Sequence, residues 1–366
     1  RMYSILREET KRRGLSHYYV RQPRLCNHGG VLVSILYVSD AGTELGIEEN
    51  RIVAHYPDGM KRTIPIETVE SITLLTKAHI SVPCMEACLK RGISVSFFSK
   101  GGRYFGRLLS TGHVNAALQR KQSALYDTPF ALAFAKRIIH AKTRNQIVVL
   151  RRYAHSRGVD VEDLISKMLV FGKKLDTADT MEQLGGYEGQ CAKLYFRGLA
   201  ICIEPEFAFH GRSRRPPMDE FNSLISLGYS ILMNEIYAEI ENKGLNPYFG
   251  FMHRDAENHP TLASDIIEEW RAVLIDSMAM SLINGHEISK EDFRMGDDEH
   301  PGCFLTKNGL NIFLKKLEKK LQSQVKYLSY VSNAISFRRA IALQLGRLSE
   351  AIRRGEAELY EPIIIR

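Results

Sequence analysis

Side chains able to hold a hard cation occur together in two short stretches of this chain. The first runs from Asn246 to Arg271, with His253 in a segment punctuated by Pro247 and Gly250, and with Asp265, Glu268 and Glu269 following Pro260 and Thr261. Pro260 and Thr261 make a helix start, and Leu262, Ile266, Trp270, Val273 and Leu274 then recur at helical spacing. Asp265, Glu268, Glu269 and Asp276 fall off that apolar face, and side chains one helical turn apart are neighbours at about 5 to 6 Å. A histidine on the loop before such a helix can converge with its carboxylates on one divalent ion. Taken alone, the same pattern also describes an acidic face in water beside a loop histidine.

The second stretch reads Gly185-Gly-Tyr-Glu188-Gly-Gln-Cys191. On a helix, Glu188 shares a face with Cys191, Ala192, Tyr195 and Leu199, an apolar stripe where an unpaired charge is costly. A bound cation would relieve that cost, and so would a salt bridge to a nearby arginine.

The elements that must carry these stretches divide by their periodicity. From Val31 to about Ser110 the chain alternates apolar and polar residues in short runs, at Ser34–Val38, Arg51–Tyr56, Arg62–Ile66, Ser71–Thr76, Ile93–Phe98 and Arg103–Leu109, with Gly and Asp turns between. One amphipathic helix interrupts them, with Cys84 and Cys88 as inward positions four apart. Beyond Thr111 helical periods take over, separated at Gly158, Gly185-Gly186, Gly211 to Pro217, Lys243 to Pro247 and Met295 to Gly302. The expected fold is α+β: a basic extension or remnant of a preceding domain over 1–30, a small N-terminal β domain over 31–112, and a larger all-α C-terminal domain over 113–366.

A net charge of +8 over 366 residues favours an anionic partner, nucleic acid before membrane. In the helix expected over Thr128–His155, Arg137, Arg144 and Arg151 recur every seven residues with Lys136 and His140 beside them. Such a stripe can track a phosphate backbone or simply be solvated. Arg212, Arg214 and Arg215 add to the positive charge further on. No apolar run approaches the roughly 20 residues needed to span a bilayer, which leads to the expectation of a soluble, cytoplasmic protein. The six cysteines match no zinc spacing. No Gly-rich phosphate loop follows a strand, so no nucleotide cofactor is expected.

With these pieces in order, the chain resembles the CRISPR-associated adaptation integrase, the endonuclease family that inserts spacers into CRISPR arrays. The resemblance covers Val31 to about Tyr360. It is carried by Ile64–Ile72, Cys88–Val95, Gly106-Arg107-Leu108, Asn145-Gln146, Glu188-Gly189 with Ala192 and Tyr195-Phe196, Pro216–Asp219 with Asn222, and the Asn246–Arg271 stretch. Asn246, Trp270 and Ala272 depart from the family pattern. The resemblance implies a metal triad of Glu188, His253 and Glu268 that is also catalytic, with Asp265 as an accessory carboxylate and Mg²⁺ or Mn²⁺ as the ion. It further implies a homodimer, a small ferredoxin-fold partner protein and a DNA substrate, with a 3′-hydroxyl attacking a phosphodiester at the repeat boundary. Some members are fused to a reverse transcriptase or a RecB-like nuclease, and the basic first thirty residues are compatible with such a junction.

Arg107, Arg137, Arg144 and Arg271 are candidates for phosphate contacts. His259 precedes Pro260 and is set aside as a ligand, because the residue before a proline is held extended. Tyr187 and Tyr248 are expected in the core. Two other functions use the same residues: a metal nuclease acting by hydrolysis, and a DNA-binding scaffold without catalysis.

Overall fold

A computed structural model of the chain describes residues 34–99, 102–111, 114–213, 216–298 and 301–366. The basic segment over 1–30, Cys26, Arg214 and Arg215 lie outside the described residues. What is described is strand-rich over 35–108 and mostly helical thereafter.

The strands are β1 (Ser34–Val38), β2 (Glu44–Glu48), β3 (Arg51–His55), β4 (Lys61–Pro65), β5 (Val69–Leu74), β6 (His79–Ile80), β7 (Ser94–Phe98) and β8 (Tyr104–Leu108). One sheet runs β4-β3-β2-β6 and the other β1-β5-β7-β8. Two strands, β2 and β6, were not expected. The β2–β3 hairpin pairs Glu48 with Arg51 across only Glu49 and Asn50, whose φ values of 43° and 62° are both left-handed. That is the primed turn that matches strand twist, and Glu-Asn is a weak sequence signal for it. Helix α1 (Val82–Arg91) starts at Ser81, whose hydroxyl accepts from the Cys84 amide, and buries Cys84 and Cys88 completely, as their spacing implies.

The helical unit takes the chain from residue 113 onward, with Leu74–Lys77 and Ser96–Gly106. Its helices are α2 (Ala116–Ala124), α3 (Pro129–Arg157), α4 (Glu162–Asp176), α5 (Met181–Cys202), α6 (Glu220–Asn242), α7 (Thr261–Trp270), α8 (Ser277–Asn284), α9 (Lys307–Gln322) and α10 (Phe337–Arg354). A π-helical turn, Arg271–Asp276, joins α7 to α8. Two short antiparallel ribbons, Phe293–Met295 with Cys303–Leu305 and Gln324–Val325 with Ile335–Ser336, accompany the helices. Among the described residues no helix is long and apolar enough to cross a membrane.

Two expectations are corrected here. Gly185-Gly186 is not a break: α5 runs through both, from a Thr180 cap whose hydroxyl accepts from the Gln183 amide. Leu184, Cys191, Tyr195 and Leu199 bury one side of α5, and that packing overrides the low helix propensity of glycine. The acidic helix α7, in turn, has no solvated face. All ten of its residues are buried, Asp265 and Glu269 fully, because α3 and α6 pack against it and the extended segment after Tyr360 bonds to it, the Ile363 amide donating to Glu269.

Close approach of α5 to α3 depends on Gly198. A Cβ there would meet Leu150 side-chain atoms at 2.6 and 2.7 Å, too near for real contact, so the absent side chain sets how closely Glu188 on α5 can face α3.

Candidate active site

His253 is positioned by a carboxylate from α7. Asp265 Oδ2 accepts from the amides of Phe251 (2.6 Å) and Met252 (3.1 Å), and Oδ1 accepts from the His253 amide (3.0 Å). The loop is thereby wrapped round one buried acid. Asp265 Oδ1 is also 2.7 Å from His253 Nδ1. Because that oxygen accepts, a proton is assigned to Nδ1. Nε2 lies 3.9 Å from Glu268 Oε1. Asp265, carried from the sequence as an accessory carboxylate, spends its oxygens on these four donors.

Glu188 and Glu268 meet through Lys142 of α3, a residue the sequence reading did not single out. The Lys142 ammonium ion-pairs with Glu188 Oε1 and lies 2.5 Å from Glu268 Oε2. Its side chain is 8% exposed, against 26% for Glu188 and 5% for Glu268. The other oxygen of Glu268 is 2.7 Å from Arg271 Nη1. Glu268 Oε2 sits beside the ammonium yet receives no well-directed hydrogen bond; charge, not direction, holds it there. Of the three triad residues expected from sequence, Glu188 and Glu268 are therefore joined by one ammonium, and His253 adjoins Glu268.

Burial penalises the charge of Glu268, but Arg271 and Lys142 outweigh it and hold the carboxyl down to about 2. For Lys142 burial opposes the ammonium, and Glu268 and Glu188 outweigh it, so its pKa is raised. The charges at this site are thus fixed by one another.

Behind Arg271 lies a second buried network. The Tyr229 ring is flanked by the guanidiniums of Arg271 (5.0 Å to the centroid) and Arg212 (5.4 Å). Its hydroxyl donates to Asp276 Oδ1 (2.5 Å), and the Tyr195 hydroxyl donates to Oδ2 (3.0 Å). The π turn makes this possible. Residues 271 and 276 are five apart, and the α period would set them roughly 140° apart round the axis. With the wider turn, closed by the Ser277 amide on the Ala272 carbonyl, Arg271 and Asp276 both reach Tyr229. Burial raises Asp276 to about 6, tempered by the two tyrosine hydroxyls.

The remaining candidates lie elsewhere. Arg144 is exposed on α3, at a position on the far side of that helix from Lys142. Arg137 donates from Nε to the Tyr360 carbonyl (2.7 Å), and Arg151 pairs with Glu162. Arg107 is a half-buried residue of β8 in the strand-rich unit. His259 sits 3.1 Å from the Ser264 hydroxyl. Tyr187 is half-buried under Lys174. Tyr248 corrects the expectation of a core residue: it is 43% exposed, because the fold uses its carbonyl, which accepts from the Thr261 hydroxyl, and not its ring.

One sequence signal could have revealed Lys142. It lies four residues after Ile138 and three before Asn145, both fully buried, and a lysine on the inward face of a helix needs an anionic partner.

The family model described as CRISPR associated protein Cas1 matches residues 36–319. The chain belongs to the Cas1 family. A CRISPR-associated endonuclease Cas1 from Mycobacterium tuberculosis is 34% identical over 321 residues, covering 87% of this chain and 94% of that protein. One from Thermus thermophilus is 32% identical over 341 residues, 92% of this chain and 99% of that one. Among solved structures, a Cas1 protein from Thermotoga maritima superposes with a TM-score of 0.74 at 24% identity, over 87% of this chain and 97% of that one. A chain of a Cas6-RT-Cas1–Cas2 complex gives 0.78 at 24% identity over 91% of this chain, which spans only 36% of that longer one. These two establish that the Cas1 fold is shared.

Proposed function

We propose that this Cas1 chain is a metal-dependent DNA endonuclease and integrase, which inserts short DNA into a CRISPR array by attack of a 3′-hydroxyl on a repeat phosphodiester. The reading rests on one observation above all: Glu188 and Glu268, far apart in sequence, meet at the Lys142 ammonium, and His253 Nε2 lies 3.9 Å from the other oxygen of Glu268. Family membership and relatives named as Cas1 endonucleases support it.

By type the donors suit Mg²⁺ or Mn²⁺. Glu188 and Glu268 offer hard oxygens, Glu268 Oε2 lacks a directed hydrogen bond, and His253 is anchored to Asp265 through Nδ1 with Nε2 on the side of Glu268. When bound, the ion would place positive charge against the phosphodiester and orient the attacking and leaving oxygens. Glu188, Glu268 and Asp265 set three carboxylates beside the cations Lys142 and Arg271, and a divalent ion would offset their repulsion of a phosphodiester.

Asp265 keeps the imidazole in one tautomer and one orientation. Arg271 is braced by Glu268 and by the Tyr229 ring, so its guanidinium is a fixed charge at the edge of the site, 23% exposed. Because one phosphodiester replaces another, no nucleotide hydrolysis is required. Its partners would be a second copy of the chain, a small ferredoxin-fold protein and an associated or fused reverse transcriptase or RecB-like nuclease. A Cas6-RT-Cas1–Cas2 complex that contains a chain of this fold supports the reverse transcriptase.

A supercoiled plasmid bearing the repeat and a labelled short duplex test the assignment. Covalent transfer of label to the plasmid is expected, and Glu188→Ala, His253→Ala and Glu268→Ala each abolish it while duplex binding persists. Cutting without transfer would mark a hydrolytic nuclease instead, and full activity in any of the three variants removes that residue from the mechanism.

A further inference from the structure

Two carboxylates that are to share a divalent ion repel each other when the ion is away, and in an enclosed site water screens that repulsion poorly. Lys142 answers this problem. Its ammonium contacts both Glu188 and Glu268, and it reaches them from a third helix, α3, so it belongs to neither carboxylate's own element. Arg271 does not do the same, because it pairs with the opposite oxygen of Glu268.

We propose that Lys142 is a built-in cation that occupies the place between Glu188 and Glu268 whenever no divalent ion is bound. It keeps the pair assembled, and it withdraws when the ion enters. The inference rests on the metal-binding reading of these residues given above. Ion uptake at this site is then an exchange of one positive group for another, and the lysine sets the affinity.

The surroundings allow the exchange. Glu188 is the more exposed of the two carboxylates, and a Cβ at Gly185, one turn before it on the same face of α5, would meet nothing within 4 Å. The side of the site formed by α5 is therefore the more open, while α7 is buried throughout. A lysine stem with four rotatable bonds can swing where a rigid guanidinium fork cannot. Mn²⁺ and Mg²⁺ would enter on the side where Glu188 and the ammonium can move.

The test measures Mn²⁺ binding to the full chain by calorimetry, in wild type, Lys142→Met and Glu268→Gln. Lys142→Met is expected to bind Mn²⁺ at least about tenfold tighter than wild type, by removal of the competing charge. Its Tm is expected to be lower without the ion and to rise more than that of wild type when Mn²⁺ is added. Glu268→Gln binds weakly or not at all. Equal or weaker Mn²⁺ binding by folded Lys142→Met overturns the role of the lysine while leaving the metal site standing. Absence of binding by both wild type and Lys142→Met overturns the metal reading, and the lysine's role with it.

Should Lys142→Met fail to fold, wild type alone decides the question by acetylation footprinting. The Lys142 amine is expected to be protected in ion-free protein and to label several-fold faster with saturating Mn²⁺. Unchanged labelling overturns the exchange.

Discussion

Glu268 and Glu269 are consecutive, of one chemical type and both almost wholly enclosed, yet they hold protons in opposite ways: Glu268 is held down to about 2, while Glu269 is pushed up to about 7. Burial disfavours the charge of each. Glu268 faces Lys142 and Arg271, full positive charges that outweigh burial. Glu269 points about 100° further round α7 and meets only neutral donors: the Tyr360 hydroxyl, the Ile363 amide at 2.6 Å and Gln344 Nε2 at 3.1 Å. Neutral hydrogen bonds temper the shift without reversing it. One side of α7 is thus built to stay ionised, and the other ties down the extended segment after Tyr360.

Substitution should separate the two sides most clearly in catalysis. Glu268→Gln is expected to lower strand transfer on the order of 1000-fold, and Glu269→Gln to leave it within about threefold, both read as label transfer to plasmid. Similar losses in both would erase the distinction. Next in size, Asp265→Asn is expected to cost about 10 to 100-fold in activity, since an amide cannot serve all four donors that now hold the His253 loop. Retention of full activity would mean that the loop is ordered by something else.

Stability should show the reverse preference. Glu269→Ala strands the Tyr360 hydroxyl, the Ile363 amide and Gln344, and is expected to cost about 2 to 4 kcal/mol in urea unfolding, with faster amide exchange at Ile363. A further effect of similar size, spread over pH, concerns Asp276. Burial lifts it to about 6 from an ordinary 3.8, so between those values the folded chain binds the proton more tightly than the unfolded chain. Its contribution is therefore complete below pH 3.8 and is lost as pH rises through 6, up to about 3 kcal/mol. Asp276→Asn should flatten that part of the stability profile. Glu268 has the opposite sign, its contribution being lost as pH falls from 4.5 through about 2. A profile that rises steadily from pH 4 to 7 in the wild type would contradict the assignment for Asp276.

Much of this was legible in the residues. Alternation located six of the eight strands described over 34–108, and the four-residue spacing of Cys84 and Cys88 put both inside a helix. The long period from Thr128 gave α3 to within two residues at each end. Joining Glu188 to His253 and Glu268 needed the family resemblance, because no local rule connects it to residues 65 and 80 positions on. What stayed hidden depended on tertiary packing. Gly185-Gly186 reads as a break until the buried side of α5 is known, and an acidic run reads as surface until its carboxylates have named partners. The Glu49-Asn50 turn carries none of the glycine that usually announces a two-residue hairpin. Lys142 was passed over because its partners come from two other helices.

The π turn takes up one residue more than an α-helix needs for the same turn. Straightening it into ordinary α-helix at unchanged length would rotate everything after it by about 100° and push it along by about 1.5 Å. Asp276 would then turn away from both tyrosines, and Met278 and Leu282, now fully enclosed, would swing out of phase with the core. Deleting one residue among Ala272, Val273, Leu274 and Ile275 would instead close the turn with Arg271 and Asp276 four apart, about 40° round the axis, and keep that phasing.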